Sequence, residues 1–334
     1  MGLELSKLLT ISNTPLLIIW VVFWGFVLDR IVGDPRRIPH PVTLIGLFIA
    51  WFEALTNRGS RLRRKSSGAS LVFITVVGTY FITWGVLALL ARANVWLGIL
   101  ASLWLMSTTL ASKSLAQAGQ EIYHLLENGD LTAARRRLAW IVGRDTAELP
   151  TDEVVRGTVE TVAENIVDGV TSPLFFALIG GVPLAMAYKA VNTLDSMVGY
   201  RNERYNDYGW AGARLDDLAN YIPARLTALI LVFVARVRGL DWREAYRAVR
   251  RDAPNHPSPN SGYAESAAAG ALGIQLGGWN SYGGKKSLRA HMGTPTHKLV
   301  PHHILTTIKL LFATGWTFLA LGLLIRLAVI AIVR

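Results

Sequence analysis

Residues 69–91 read ASLVFITVVGTYFITWGVLALLA, an uninterrupted apolar run without a charged side chain. A helix needs about 20 apolar residues to cross the hydrocarbon core of a bilayer, so this run predicts a membrane-spanning helix. The composition of the whole chain agrees, with 51% hydrophobic residues and a mean hydropathy of +0.34. We therefore expect an integral membrane protein.

Three further apolar runs predict membrane-spanning helices. The first covers residues 15–28. The run at 95–111 follows 69–91 almost directly, so these two are expected to form a tight helical hairpin. The last run, 304–333, is long enough to cross with tilt, and Arg326 in it is expected to extend toward the membrane interface.

Two weaker apolar runs, 173–191 and 222–235, are expected to be broken or re-entrant helices. The first contains the adjacent glycines Gly180 and Gly181, followed by Pro183. Such residues free backbone groups that need partners from neighbouring helices or water. The predicted fold class is therefore all-α: a polytopic integral membrane protein with about four clear spans, two broken or re-entrant helices and cytoplasmic helical loops.

The basic residues set the predicted orientation, because cytoplasmic loops of membrane proteins carry an excess of Lys and Arg. The rule places the loop between the first two spans in the cytoplasm, and with it a helical hairpin and acidic helix at 112–172 and a loop region at 236–303. We treat 1–334 as a single membrane-embedded domain of the inner membrane. The basic residues of the first loop are Arg58, Arg61, Arg63, Arg64 and Lys65.

Several function classes are excluded or disfavoured. The net charge of +11 is explained by the basic loops, so no nucleic-acid partner is expected. The chain has no cysteine, which excludes disulfides, thiolate nucleophiles and cysteine-ligated zinc. The C-terminal histidines have irregular spacing and no HExxH motif, and the glycine- and lysine-rich stretch at 278–287 fails the spacing of a P-loop.

An acidic stripe precedes the first broken run. Glu160, Glu164 and Asp168 are spaced four residues apart, so a continuous α-helix would place all three on one face. Like charges at this spacing repel. Two interpretations remain open: a solvated acidic surface, or a site for a hard cation such as Mg²⁺, which takes oxygen ligands and bridges substrate phosphates.

Between the two weak runs, carboxylates alternate with basic and amide side chains. Ionisable residues at membrane depth are costly and are usually functional, and arginine binds phosphates through paired hydrogen bonds. The open alternatives are a magnesium–phosphate site and a set of salt bridges that hold helices together. A third polar segment, the proline-rich loop at 251–262, leads into a helix of small residues.

The order of these motifs resembles the CobD/CbiB family over about residues 25–290. The matching blocks are Gly33-Asp34-Pro35, His40-Pro41-Val42, Gly143-Arg144-Asp145-Thr146, Glu160-Thr161-Val162-Ala163-Glu164-Asn165 with Asp168-Gly169, Ser172-Pro173-Leu174-Phe175, Asn192-Thr193-Leu194-Asp195-Ser196-Met197-Val198-Gly199-Tyr200, Ala213-Arg214-Leu215-Asp216-Asp217 with Asn220 and Pro223-Ala224-Arg225, Ser258-Pro259-Asn260-Ser261-Gly262, Leu276-Gly277-Gly278 and Tyr282-Gly283-Gly284.

The resemblance implies an adenosylcobinamide-phosphate synthase. Such an enzyme joins adenosylcobyric acid to (R)-1-aminopropan-2-ol O-phosphate in an amide ligation that depends on Mg²⁺ and on ATP as co-substrate. A free carboxylate is a poor acyl donor, so we expect an acyl-phosphate intermediate. The implied partners are the corrinoid, aminopropanol phosphate, membrane lipid and other enzymes of the cobalamin pathway. Because ATP is cytosolic, the active site is expected to face the cytoplasm.

The expected activity assigns a role to each candidate residue. All of them are expected to line one pocket, where they would catalyse phosphoryl transfer by positioning the reactants and by electrostatic stabilisation. The expected metal ligands are Glu160, Glu164, Asp168, Asp195, Asp216 and Asp217. The expected catalytic residues are Glu160, Glu164, Arg214 and Arg225. The expected substrate- and phosphate-binding residues are Lys189, Asn192, Arg201, Arg204, Asn220, Ser258 and Asn260.

Two other functions fit parts of the pattern. An AmpE-like membrane sensor, a distant relative without enzymatic activity, would need no ATP site and would have no reason to keep Glu160, Glu164 and Arg225 together. A transporter also has broken helices with charges near the membrane centre. It would normally show an internal inverted repeat, which the sequence does not display.

Overall fold

The computed structural model describes residues 15–33, 40–200 and 202–333. Its helices are α1 Pro15–Val32, α2 Pro41–Thr56, α3 Arg61–Ala93, α4 Val95–Thr109, α5 Ser112–Glu127, α6 Leu131–Leu138, α7 Thr151–Ile166, α8 Ser172–Val198, α9 Trp210–Ala219, α10 Tyr221–Val237, α11 Trp242–Arg251, α12 Ser261–Leu272 and α13 His302–Val333. A π-helical turn covers Val167–Thr171 and a 3₁₀ turn Ala253–Asn255. Two strands, β1 Leu276–Tyr282 and β2 Lys285–Met292, form an antiparallel hairpin.

Five helical segments in the described ranges are long and apolar enough to cross a membrane. A sixth is present if α9 and α10 count as one bent span. This confirms the predicted all-α membrane fold with a few clear spans and additional broken ones. The five segments are Pro15–Val32, Arg61–Ala93, Val95–Glu127, Thr151–Val198 and His302–Val333.

The chain forms two compact units. Unit 1 contains the described residues of 1–111, 172–219 and 319–334, and unit 2 contains 112–171 and 220–318. The single membrane-embedded domain and the cytoplasmic side of 112–172 and 236–303 stay predictions.

In unit 1, α3 packs against α2, α4, α8 and α9. The turn between α3 and α4 is the single residue Asn94, whose Oδ1 accepts a hydrogen bond from Trp96 N (2.8 Å) and so caps α4. Gly98 lies against Ala91, where a Cβ would come within 2.7 Å of the alanine side chain. The absence of a side chain there allows α3 and α4 to form a tight hairpin, as the sequence predicts.

Helix α8 is broken inside the membrane segment. Gly180 leaves the helical region, and Gly181 has a φ of +69°, a conformation that favours glycine. Pro183 has no N–H, so the carbonyl of Ile179 has no donor from its own helix. Arg326 supplies it: its Nη1 donates to Leu178 O and to Ile179 O (3.4 Å). Arg326 thus supports the helix break, a contact that the sequence analysis does not predict, and its position at the membrane interface stays a prediction.

Helix α2 is not predicted by the sequence analysis. His40 caps it, with Nδ1 accepting from Val42 N at 3.3 Å, and Pro41 occupies its first turn, a position that suits proline. The helix has 16 residues, fewer than a simple span requires. It buries Ile49 against α3 and leaves Leu44 and Trp51 exposed.

Unit 2 has one large apolar core, built mainly from α7, α10, α12 and the start of α13. The first two helices of unit 2, α5 and α6, are joined by a short turn. Gly129 adopts a φ of +76° in this turn, and Asp130 caps α6 by accepting a hydrogen bond from Ala133 N at 2.8 Å. Helix α12 consists largely of small residues and packs closely on α11. A Cβ on Gly270 would lie 2.5 Å from Glu244 O, so the close approach needs glycine there.

The β-hairpin is a feature that the sequence analysis does not predict. Gly277 and Gly278 have positive φ at its start, where the register is irregular, and Gly283 and Gly284 have positive φ at its turn. β1 packs against α7, and both strands pack against α12. The hairpin therefore adds side chains to the region of unit 2 that contains the acidic stripe.

Candidate functional site

The acidic stripe does not continue along one α-helix. Regular α-helix ends at Ile166, and Asp168 lies in the π-helical turn Val167–Thr171. A π turn changes the number of residues per turn, so the spacing that would align Asp168 with Glu160 and Glu164 is interrupted. The three carboxylates are therefore not carried by one continuous α-helix, and their position on one shared face stays a prediction.

Glu160 is buried among hydrogen-bond donors. Its Oε1 accepts from Arg156 Nη1 (2.9 Å) and from Gly277 N (2.8 Å), and its Oε2 accepts from Arg144. Asn280 joins the same network, because its Oδ1 accepts from Arg144 Nη1 (2.7 Å) and Arg156 Nη2 (3.0 Å). The network connects α7 to strand β1 through charged groups that partly satisfy one another.

This environment bears on the expected metal site. Both oxygens of Glu160 already accept hydrogen bonds from charged or backbone donors, so a cation bound there would have to displace an arginine. In the part of the chain that the structure describes, no group of three or more His, Asp or Glu side chains is arranged to hold a metal ion. The assignment of Glu160 and its partners to Mg²⁺ stays a prediction.

Glu164 occupies a different setting one turn further along α7. It is partly exposed, and its Oε1 accepts from the Ser261 hydroxyl at 2.9 Å. Ser261 in turn contacts Ser258, with 3.1 Å between the two hydroxyl oxygens. The structure thereby brings together two of the expected site residues, Glu164 and Ser258, which are far apart in the sequence.

The loop at 258–262 is held in one conformation by local hydrogen bonds. Ser258 Oγ accepts from Asn260 N and Ser261 N, both at 3.2 Å. Gly262 is required by close packing, because a Cβ at this position would lie 2.5 Å from His256 Cβ and 2.8 Å from Ala253 O. The Ser-Pro-Asn-Ser-Gly sequence therefore builds a fixed turn that aims Ser261 at Glu164.

A buried acid and a buried imidazole lie beside this loop. Glu265 Oε1 and His256 Nε2 are 3.7 Å apart, and neither atom has a hydrogen-bond partner among the described residues. Burial raises the pKa of Glu265 well above its usual value, and the negative charges of Glu164 and Glu160 raise it further. Burial also lowers the pKa of His256. Burial therefore disfavours the charged form of both groups.

Arg225 holds the other side of the loop. Its Nη1 donates to Tyr221 O (2.7 Å) and to Asn260 Oδ1 (3.3 Å). The guanidinium also lies 3.4 Å from the ring centroid of Tyr221 and 4.3 Å from that of Tyr263, as in cation–π contacts. Two more expected site residues, Arg225 and Asn260, are thus in contact, and the contacts give Arg225 a positioning role.

The expected phosphate ligand Arg204 lies in unit 1 and already has an anionic partner. Its Nε and Nη2 donate to the two carboxylate oxygens of Glu53 at 3.0 and 2.8 Å. Glu53 is 7% exposed at its side chain, whereas Arg204 is 64% exposed. Asn57 also donates to Glu53 at 2.7 Å. This fork-to-fork pair corresponds to the salt-bridge alternative weighed for this segment.

The remaining expected residues divide between the units. Arg214 is exposed and 3.9 Å from Asp217 on the same helix, and Asp216 is buried. Arg201 lies outside the described residues. The expected residues in unit 1 are Lys189, Asn192, Asp195, Arg204, Arg214, Asp216 and Asp217, and those in unit 2 are Glu160, Glu164, Asp168, Asn220, Arg225, Ser258 and Asn260. Their convergence in one pocket stays a prediction.

Sequence reasoning did not assign four residues that complete the cluster in unit 2. Arg144 lies in the motif at 143–146 and His256 lies in the proline-rich loop at 251–262, so the sequence marked both regions but not these two side chains. Glu265 stands in a run of alanines, where a lone carboxyl is unusual for a buried helix. Asn280 belongs to the β-hairpin and gave no signal of its own.

Comparisons with known proteins place these residues in a family. The CobD/Cbib protein family model matches residues 22–311. The chain belongs to the CobD/CbiB family. It is 46% identical to the cobalamin biosynthesis protein CbiB of Salmonella paratyphi B over 311 residues, covering 92% of this chain and 96% of the relative.

Other relatives carry similar names. The chain is 44% identical to the cobalamin biosynthesis protein CobD of Citrobacter koseri over 309 residues, 92% of this chain and 96% of the relative. It is 46% identical to the cobalamin biosynthesis protein CobD of Pelobacter propionicus over 294 residues, which cover 88% of this chain and 91% of the relative. No solved structure matches the chain.

Proposed function

We propose that this chain is a membrane-bound ligase of cobalamin biosynthesis that joins adenosylcobyric acid to (R)-1-aminopropan-2-ol O-phosphate, using ATP and Mg²⁺. The relatives and the family model support a role in cobalamin biosynthesis. The observation that supports a catalytic site is the hydrogen bond from Ser261 to Glu164, which joins the acidic helix to the 258–262 loop.

The proposed reaction has two steps. A carboxylate oxygen of the corrinoid attacks the γ-phosphorus of ATP, the bond to ADP breaks, and an acyl phosphate forms. The amine nitrogen of aminopropanol phosphate then attacks the acyl carbon, inorganic phosphate leaves, and the nitrogen loses a proton to give the amide. Catalysis of such transfers depends mainly on the positioning of the reactants and on electrostatic stabilisation.

The residues of unit 2 fit these demands unequally. Glu164 is partly exposed and anchored by Ser261, so it fits a magnesium ligand of the usual kind, one or two carboxylates together with phosphates and water. Glu160 does not fit this role while Arg144 and Arg156 occupy its oxygens. Magnesium bound with ATP would offset the charge of the phosphates, which a carboxylate nucleophile must approach.

The other residues hold this arrangement in place. Glu160 and Glu153 together offset the charges of Arg144 and Arg156, and the resulting network fixes strand β1 against α7. Arg225 fixes Asn260 and the carbonyl of Pro259, and with them the loop that carries Ser261. A site that is held rigid before substrates bind loses less entropy when they react.

The test is a direct assay of the purified protein in detergent. Adenosylcobyric acid, aminopropanol phosphate, Mg²⁺ and ATP are supplied, and mass spectrometry detects the amide product. We expect product only when ATP and Mg²⁺ are both present. Glu164→Gln should lower turnover by at least about tenfold, since one charged ligand is worth roughly 1.5–3 kcal/mol.

The matched control is Glu148→Gln, which changes an exposed glutamate of the same unit and should leave turnover unchanged. No amide from the unaltered protein would refute the ligation. Full turnover by Glu164→Gln would show that the reaction does not use this site.

A further inference from the structure

Arg289 shares one face of the β-hairpin with Asn280. In the antiparallel register, Gly278 pairs with Arg289 and Asn280 pairs with Ser287. Residues opposite each other point to the same side, and alternate residues along a strand do so as well. Arg289 and Asn280 are therefore diagonal neighbours, on the side where Asn280 meets Arg144 and Arg156.

Arg289 is a partly buried cation without a direct partner. In the ranges that the structure describes, its guanidinium forms neither a hydrogen bond nor an ion pair, and its nearest aromatic ring is that of Tyr282 at 5.9 Å. Burial alone would lower its pKa, but electrostatic interactions with Tyr282, Glu265, Glu164 and Glu160 outweigh this effect and raise it. The side chain thus stays charged near three carboxyl groups that it does not touch.

Asn280 adds an unused donor. Its Oδ1 accepts from both Arg144 and Arg156, which fixes the orientation of the amide, because an amide NH₂ cannot accept from an arginine. Its Nδ2 is buried and has no acceptor in the described part of the chain. The side chain is 5% exposed, and an unmet buried donor costs roughly 1–3 kcal/mol.

These two side chains offer only donors, so the group that completes them is an acceptor, and a charged one would suit Arg289 best. Phosphate is such a group, since it presents several strong acceptor oxygens to arginine. The neighbouring carboxyl groups of Glu164 and Glu265 instead offer hydrogen-bond acceptors, which suit a cation such as an ammonium group. Glu164 Oε1 accepts only from the Ser261 hydroxyl among the described residues, and Glu265 Oε1 lacks a hydrogen-bond partner there.

We propose that Arg289 and Asn280 bind the phosphate of a small aminoalkyl phosphate, whose ammonium end lies toward Glu164 and Glu265. The inference rests on the proposed function, for which it names the residues that select the phosphorylated form of the amine substrate. It involves binding alone and adds no chemical step. The phosphates of ATP have the same chemistry, so the experiments separate the two sources.

The first experiment measures binding without turnover. The purified protein in detergent is heated with inorganic phosphate, aminopropanol phosphate or unphosphorylated aminopropanol, and the Tm is recorded. Aminopropanol phosphate should raise the Tm more than either of the other two compounds. Arg289→Gln should remove this shift, while Lys286→Gln, an exposed lysine on the same strand, should keep it.

The second experiment measures kinetics. Arg289→Gln should raise the KM for aminopropanol phosphate by about 10- to 100-fold, as expected for a lost charged hydrogen bond, with the KM for ATP unchanged. Arg289→Lys should restore part of the affinity, because it keeps the charge but not the fork of donors. Size-exclusion profiles identify any variant that has not folded, and Arg289→Lys then replaces Arg289→Gln in both experiments.

The outcomes separate the two proposals. A selective Tm shift that Arg289→Gln abolishes would support the inference even if no amide product forms, in which case the ligation alone fails. A rise in the KM for ATP instead of aminopropanol phosphate would overturn the inference, because the phosphate bound here would then be that of ATP. An unchanged Tm shift and an unchanged KM in Arg289→Gln would also overturn it.

Discussion

The Ser261 hydroxyl donates a 2.9 Å hydrogen bond to Glu164 across 97 residues of sequence. This bond links the acidic helix α7 to the first turn of α12, and Ser258 supports Ser261 from within the loop. A carboxylate held in this way has a restricted range of orientations. The relationship gives the Ser-Pro-Asn-Ser-Gly loop a physical role in positioning Glu164.

Removal of this hydroxyl should weaken both stability and turnover. Ser261→Ala is expected to cost about 1–2 kcal/mol, since the bond involves a charged acceptor, and to lower turnover through a less well oriented Glu164. In a double-mutant cycle with Glu164→Gln, the two effects should not add, because Glu164→Gln weakens by loss of charge the same contact that Ser261→Ala removes. Ser287→Ala, at an exposed hydroxyl of β2, is the control. Additive effects would contradict the positioning role.

Two glycines of α3 should respond to alanine in opposite ways. A Cβ on Gly68 would lie 1.9 Å from Tyr208 O, so Gly68→Ala must push α3 away from the segment after α8 and should lower the Tm markedly. Gly78 has no atom within 4 Å of such a Cβ. Gly78→Ala should raise stability by about 0.5–1 kcal/mol, the difference in helix propensity. Thermal unfolding in detergent compares them, and equal effects would contradict the described packing.

The buried carboxyl of Glu265 should make stability depend on pH. Its pKa is raised, so the folded protein keeps a proton that the unfolded chain releases, and stability falls as pH rises above the ordinary value of 4.5. Glu265→Gln mimics the protonated form and lacks this penalty. The Tm of Glu265→Gln minus that of the unaltered protein should therefore increase from pH 5 to pH 8.

His256 is present in both proteins, so its own titration largely cancels in that difference. The measurement is a thermal scan at each pH with matched detergent and ionic strength. A difference that stays constant or shrinks as pH rises would mean that Glu265 is ionised in the folded protein.

The Glu53–Arg204 pair should contribute to stability. Arg204→Gln leaves the buried Glu53 with only Asn57 as a side-chain donor, and we expect a lower Tm, with a drop limited by the exposure of Arg204 to solvent. The KM for ATP should not change. Arg63→Gln, which alters a neighbouring exposed arginine, is the control. An unchanged Tm with a raised KM for ATP would instead favour the phosphate-binding role expected from the sequence.

The membrane fold could be predicted because it depends on local composition. The run at 69–91 and the C-terminal run are apolar over a length that only a membrane explains, and the glycine pair with Pro183 marked the break in α8. Helix α2 escaped prediction because its capping sequence, His40-Pro41, also fits a turn. The hairpin escaped because its strands are polar, short and bounded by glycines, and they are stabilised by packing on α7 and α12.

The candidate site was predicted only in part, since its chemistry depends on contacts distant in sequence. The spacing of Glu160 and Glu164 identified the acidic helix, but not that one carboxylate would be enclosed by arginines and the other would face the loop. The π-helical turn that contains Asp168 has no simple sequence signal. The positions of Glu265 and Arg289 follow from how α12 and β2 pack, which no local pattern encodes.

The contact from Arg326 to the carbonyls of Leu178 and Ile179 has a mechanical consequence. Proline and glycine normally create a flexible hinge, but here the two open acceptors are held by a single guanidinium on another helix. If the two halves of α8 moved relative to each other, the hydrogen bonds from Arg326 to the carbonyl oxygens of Leu178 and Ile179 would have to break. In apolar surroundings the loss of these bonds costs on the order of several kcal/mol. Arg326 therefore restrains the bend that Gly180, Gly181 and Pro183 create in α8.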